Sequence, residues 1–180
     1  MKRGTKFVAR TGIIAALYFI LTFAVAPIAY GPLQFRIGEA LTLLPLLFPE
    51  AILGLTIGCL GANILSPFSW ADVVFGTLAT LVAGCMTYFI GWFFRKKGKT
   101  MDVSGDQFIR KERDKRMFFQ CLLGSIPPIF VNAIALPLMW LILGSDSAYW
   151  VNFGMLLGTQ TATVLVLGTP LTLALARAKI

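Results

Sequence analysis

The chain has 180 residues, of which 57% are hydrophobic, with 16 Lys and Arg against 8 Asp and Glu, no His and a mean hydropathy of +0.79. Soluble domains are roughly 45–50% apolar, so a bilayer is the natural solvent for this chain, which has room for one domain, 1–180. The lack of histidine removes the commonest general base and imidazole ligand, and Cys59, Cys85 and Cys121 sit singly with no metal-ligand spacing, so the composition argues against an enzyme and implies neither a cofactor nor a metal.

The net charge of +8 does not require a nucleic-acid partner, because the charges are segregated along the chain. The first cluster, Lys2, Arg3, Lys6 and Arg10, precedes a charge-free stretch from 11 to 35. Ala24-Val25-Ala26 resembles a signal-peptide cleavage site, but Pro27 follows and the apolar run continues, so the segment reads as a retained helix. Gly12 and Ala16 give it a small face at four-residue spacing. Next, Ala40 to Pro49 is charge-free but only about half the roughly 20 residues a crossing needs, and it carries Pro45; it reads as a short or broken helix.

Two full-length stretches follow, 51–71 and 73–94, with small faces at Gly54, Gly58, Ala62 and at Gly76, Thr80, Gly84. The second basic cluster runs from Arg95 to Arg116. Gly98-Lys99-Thr100 within it resembles the end of a phosphate loop, but Phe93 stands where that pattern needs Gly. Stretches 117–145 and 147–176 complete the spans. Pro127 and Pro128 predict a kink in the first, and Gly154, Gly158 and Ala162 a packing face in the second. Arg177 and Lys179 form the last cluster.

Positively charged segments stay in the cytoplasm. An even number of crossings then separates each pair of clusters, so the short Ala40 piece becomes a second crossing. The expectation is an all-α membrane protein of six transmembrane helices with both termini cytoplasmic, the alternative being five helices and a re-entrant segment.

With that topology, Tyr30, Gln34, Arg36, Glu39, Asn63, Ser66, Trp70, Asp72, Asp146, Tyr149, Trp150 and Asn152 fall in or beside the external connections. Aromatics at an interface ordinarily form a belt, and Arg36 and Glu39 have the spacing of a local ion pair. Ionisable groups at membrane depth are costly, however, and usually mark a pathway or site. The combination predicts a pocket in which aromatic faces stack on a flat heterocycle while Glu39, Asp72, Gln34 and Asn63 satisfy its edges.

Residues 34–45, Gln34-Phe35-Arg36-Ile37-Gly38-Glu39-Ala40-Leu41-Thr42-Leu43-Leu44-Pro45, closely resemble the signature of the QueT family, and the stretches 54–63 and 72–80 look like its continuation. The resemblance implies a substrate-binding S-component of an energy-coupling factor (ECF) transporter that captures a queuosine precursor of the 7-deazaguanine class. Its implied partners are a module of two ATPases and a coupling membrane subunit. The family's first helix meets that subunit through Ala-x-x-x-Ala, and Gly12-x-x-x-Ala16 stands at the nearest matching place. The substrate contacts expected from the residues themselves are Glu39, Arg36, Gln34, Asn63, Asp72, Trp70, Tyr30 and Trp150. An S-component for another vitamin such as thiamine or riboflavin, a small membrane enzyme and a protein with no ligand are the competing readings.

Overall fold

The computed structural model describes residues 3–30, 33–66, 70–98, 107–144 and 148–178. Lys2, Lys99, Thr100, Asp146 and Lys179, singled out above, lie outside the described residues. Every regular element within them is helical. In chain order these are α1 (Arg3–Phe23), the single turn α2 (Ala26–Ala29), a 3₁₀ helix (Ile37–Leu46), α3 (Glu50–Ile64), α4 (Thr77–Gly98), α5 (Gln107–Ile142), α6 (Tyr149–Thr161) and α7 (Thr169–Arg177). A π-helical turn at Asp72–Gly76 leads into α4, and another at Ala162–Gly168 joins α6 to α7.

Among the described residues, four helical runs are long and apolar enough to cross a bilayer: Gly4–Phe23, Asp72–Lys96, Glu112–Ile142 and Tyr149–Arg177. The all-α expectation holds but the count of six crossings is not confirmed, because Ile37–Leu46 and Glu50–Ile64 are shorter. At about 2.0 Å rise per residue the ten-residue 3₁₀ helix extends roughly 20 Å. It begins ahead of the predicted Ala40, and Pro45 lies inside it, where the missing N–H and the ring's clash with the carbonyl four residues back disfavour an α-helix.

That helix is the centre of the fold. Gly38 through Leu46 are all buried, and it packs on α1, α3, α4, α5, α7 and the second π-turn. An element apolar on every side must be surrounded in this way. Leu41 and Leu44 join Ile14, Tyr18, Leu55 and Cys59 in one apolar cluster, while Leu43 and Leu46 join Cys121, Ile129 and Val164 in another.

Helix α5 continues through Pro127, Pro128 and Pro137 without a break. The small faces divide into two kinds. A Cβ on Gly54 would come within 2.8 Å of Ile14 Cβ, and one on Gly58 within 2.7 Å of the Ala15 carbonyl oxygen, so α3 lies directly against the backbone of α1. Gly76 is closed over by Asn63. Gly154 and Gly158 have open space around them and Ala162 is exposed, which corrects the predicted packing face on α6. Gly58→Leu should lower the thermal unfolding midpoint in detergent, at a cost of about 1–3 kcal/mol or more for overpacking. An unchanged midpoint would contradict this close approach.

The basic clusters converge. Arg10 pairs with Glu50 at 2.9 Å, Arg177 with Asp114 at 2.9 Å, Arg95 donates to the Leu46 carbonyl and Arg116 to the Phe94 carbonyl. The starts of α1, α3 and α5 therefore meet the ends of the 3₁₀ helix, α4 and α7 at one end of the bundle. At the other end the Tyr30 hydroxyl donates to the Ala62 carbonyl at 2.6 Å, and the Thr159 hydroxyl lies 2.9 Å from the Leu33 carbonyl oxygen.

Candidate ligand site

The end of the bundle away from the basic clusters collects buried polar side chains from every major element. Helix α1 contributes Tyr18, on the buried stripe that also holds Ile14 and Thr22. The segment 33–36 and the first turn of the 3₁₀ helix bring Gln34, Arg36 and Glu39; α3 brings Asn63; the first π-turn brings Asp72. Helix α5 adds Asn132 and Trp140, and α6 adds Asn152 and Gln160. All of these are buried.

Arg36 and Glu39 do not form the local ion pair that their spacing allows. No hydrogen bond or salt bridge links them, because their side chains diverge from the start of the 3₁₀ helix. The Arg36 guanidinium donates from Nε to the Ala29 carbonyl at 3.2 Å and from Nη1 to Asn63 Oδ1 at 2.9 Å, and it lies 5.6 Å from the Tyr30 ring centroid. Glu39 turns inward. Its Oε1 accepts from the Tyr18 hydroxyl at 2.6 Å, and its Oε2 has Asn132 Nδ2 at 3.5 Å, the limit of a hydrogen bond. Arg36 thus closes the loop onto α3, and Glu39 ties the 3₁₀ helix to α1 and α5.

Asn63 joins Arg36 to the first π-turn. While its Oδ1 receives Arg36, its Nδ2 donates to the Asp72 backbone carbonyl at 3.0 Å. The Asp72 carboxylate accepts from the Ser66 hydroxyl through Oδ2 at 2.9 Å, leaving Oδ1 buried without a partner. The Trp140 indole N–H faces this carboxylate yet also falls short of a hydrogen bond. Both amide atoms of Gln34 and the Gln160 carbonyl oxygen are buried and unpaired as well. A buried donor or acceptor left without any partner costs about 1–3 kcal/mol. Unpaired donors and acceptors of this kind suit a polar ligand.

Of the eight predicted contacts, Tyr30, Gln34, Arg36, Glu39, Asn63 and Asp72 come together here. Trp70 and Trp150 do not: they are 67% and 78% exposed, as belt residues would be. Tyr18, Asn132, Trp140 and Gln160 went unnoticed in the sequence. Asn132 and Gln160 had a usable signal, being solitary amides in charge-free spans; Tyr18 and Trp140 look like ordinary span aromatics. Gly12 and Ala16 lie on the exposed side of α1, away from Ile14 and Tyr18.

A family model described as QueT transporter matches residues 8–177. A curated relative from Lactococcus lactis subsp. cremoris, described as queuosine precursor transporter QueT, is 43% identical over 83 residues, covering 45% of this chain and 48% of the relative. The match thus spans about half of that relative's length. No solved structure matches.

Proposed function

Because the chain belongs to the QueT transporter family, we propose that it is the substrate-binding S-component of an ECF-type importer that captures a queuosine precursor of the 7-deazaguanine class. The observation that carries this reading is the buried polar group opposite the basic end, with two carboxylates and several unpaired hydrogen-bonding atoms. A deazaguanine base is flat and presents adjacent N–H donors that one carboxylate accepts together. A second carboxylate is then free for an aminomethyl cation on the same ligand. Calorimetry on the purified full chain with deazaguanines, guanine, thiamine and riboflavin tests the proposal. Saturable binding of the deazaguanines above the others supports it, whereas preferential binding of a vitamin or no binding at all overturns it.

The protein is a multi-pass membrane transporter, and the proposed orientation places both termini and the basic end in the cytoplasm, following the positive-inside bias. Single cysteines at the exposed positions Lys96 and Ala148, in a cysteine-free background, should differ in intact cells. An impermeant thiol reagent is expected to label Ala148→Cys and spare Lys96→Cys; the reverse pattern would invert the topology.

Energy would come from the partner module of two ATPases through its coupling membrane subunit, docked on the Gly12 and Ala16 face of α1. A Cβ at Gly12 meets nothing within 4 Å inside this chain, so Gly12→Leu and Ala16→Leu are expected to leave the fold and ligand affinity intact. They should lower uptake and recovery of the coupled complex, because backbones that approach closely tolerate no large side chain between them. Normal uptake by both variants would remove this face as the docking site.

A further inference from the structure

We infer that Gln34 and Gln160 form an amide pair that reads the donor–acceptor edge of the ligand's ring system, so that the site accepts a free base and rejects one substituted at the ring nitrogen on that edge. The inference rests on the reading of this end as a ligand site and adds the residues that select the ligand's form.

Gln34 is 1% exposed, and neither its amide nitrogen nor its amide oxygen has a partner. Its backbone is held at φ 40°, the one left-handed non-glycine residue among those described. Such a conformation is unfavourable for a glutamine and persists only when the surroundings impose it. They do so on both sides. The Leu33 carbonyl faces the Thr159 hydroxyl, the Phe35 N–H donates to the Ile28 carbonyl at 3.0 Å, and Arg36 is anchored on Ala29. The strained residue is therefore presented by a clamped segment, with an amide that serves nothing inside the chain.

Gln160 directly follows Thr159, which places it beside the same segment. It is 2% exposed, and its carbonyl oxygen is unpaired. It continues the buried stripe of α6 that contains Asn152 and Leu156 at four-residue spacing. One unpaired amide N–H group and two unpaired amide oxygens thus belong to residues adjoining the Leu33–Thr159 contact.

The chemistry then divides the ligand between acids and amides. A carboxylate only accepts hydrogen bonds, whereas a primary amide both donates and accepts. A 7-deazaguanine has one edge of two adjacent donors, the N1–H and the 2-amino group, which suits a carboxylate. Its opposite edge pairs one donor, the pyrrole N9–H, with one acceptor, N3. That edge suits the amides: Gln34 Nε2 donates to N3 while the Gln34 or Gln160 oxygen accepts from N9–H. A sugar or methyl at N9 removes the donor and fills the space.

The test measures binding of 7-deazaguanine and 9-methyl-7-deazaguanine to the full-length wild type, Gln34→Met and Gln160→Met. Wild type is expected to prefer the unmethylated base at least tenfold, and the variants should reduce that ratio to within about threefold of unity. A ligand-free unfolding midpoint that stays level or rises in Gln34→Met supports the inference, since replacing an unpaired buried amide by an apolar group relieves its desolvation; a clear fall marks Gln34 as structural and overturns it. An unchanged methylation ratio in both variants also overturns it while leaving the proposed function standing. Failure of wild type to bind either base removes the proposed function and this inference together.

Discussion

Glu39→Gln is expected to weaken 7-deazaguanine binding by about tenfold to over a hundredfold while the protein stays folded. A carboxylate offers about four lone-pair sites. In this chain one is taken firmly by Tyr18 at 2.6 Å and another weakly by Asn132 at 3.5 Å, which leaves capacity for ligand N–H groups. Glutamine keeps the size and the acceptor that faces Tyr18 but turns the other oxygen into a donor. The loss of a charged hydrogen bond costs about 1.5–3 kcal/mol, which sets the expected fold-change. Tyr18→Phe is the control: it removes the internal donor and keeps the charge, so its effect on affinity should be the smaller of the two. Calorimetric titration of both variants, with unfolding midpoints measured alongside, decides the matter. A change below about twofold for Glu39→Gln would confine Glu39 to holding the 3₁₀ helix against α1.

The features of the sequence that were legible were those written in charge. Arg10, Arg95, Arg116 and Arg177 sit in three separate clusters, yet they gather at one end of the bundle, as the bias against translocating positive charge leads one to expect. Glu39, Arg36 and Asp72 stood out against apolar surroundings for the same reason, and they are buried together. Spacing was a poorer guide. Arg36 and Glu39 are three residues apart, which suggests a pair on an α-helix, but Arg36 precedes the helix in extended backbone and Glu39 lies inside a 3₁₀ turn, so the side chains part. Likewise, Gly154, Gly158 and Ala162 make close approach sterically allowed without supplying a neighbour. Amides were the least visible. Gln160 and Asn132 carry no charge to interrupt a hydropathy pattern, and only the folded arrangement shows that both are buried, with Asn132 beside Glu39.

Arg36→Met should produce the largest loss of stability of any change in the site. The guanidinium is 3% exposed, and no carboxylate lies within ion-pair distance of it among the described residues; its direct partners are the Ala29 carbonyl, Asn63 Oδ1 and the Tyr30 ring. Glu39 and Asp72 are buried in the same site without pairing to it directly. Removing one member of a buried charge group leaves the others uncompensated, at a cost of about 3–5 kcal/mol, and here it also frees Asn63 Oδ1. If the balance is collective, neutralising a second member should return part of the loss. The double variant Arg36→Met, Glu39→Gln is therefore expected to be more stable than the sum of its single changes implies, by about 0.5–3 kcal/mol, the range for residues in one network. Denaturant or thermal unfolding of the four proteins in detergent closes the cycle. Additivity within about 0.5 kcal/mol would mean that Arg36 acts only through its hydrogen bonds to Ala29 and Asn63, and that the site's charges are independent of one another.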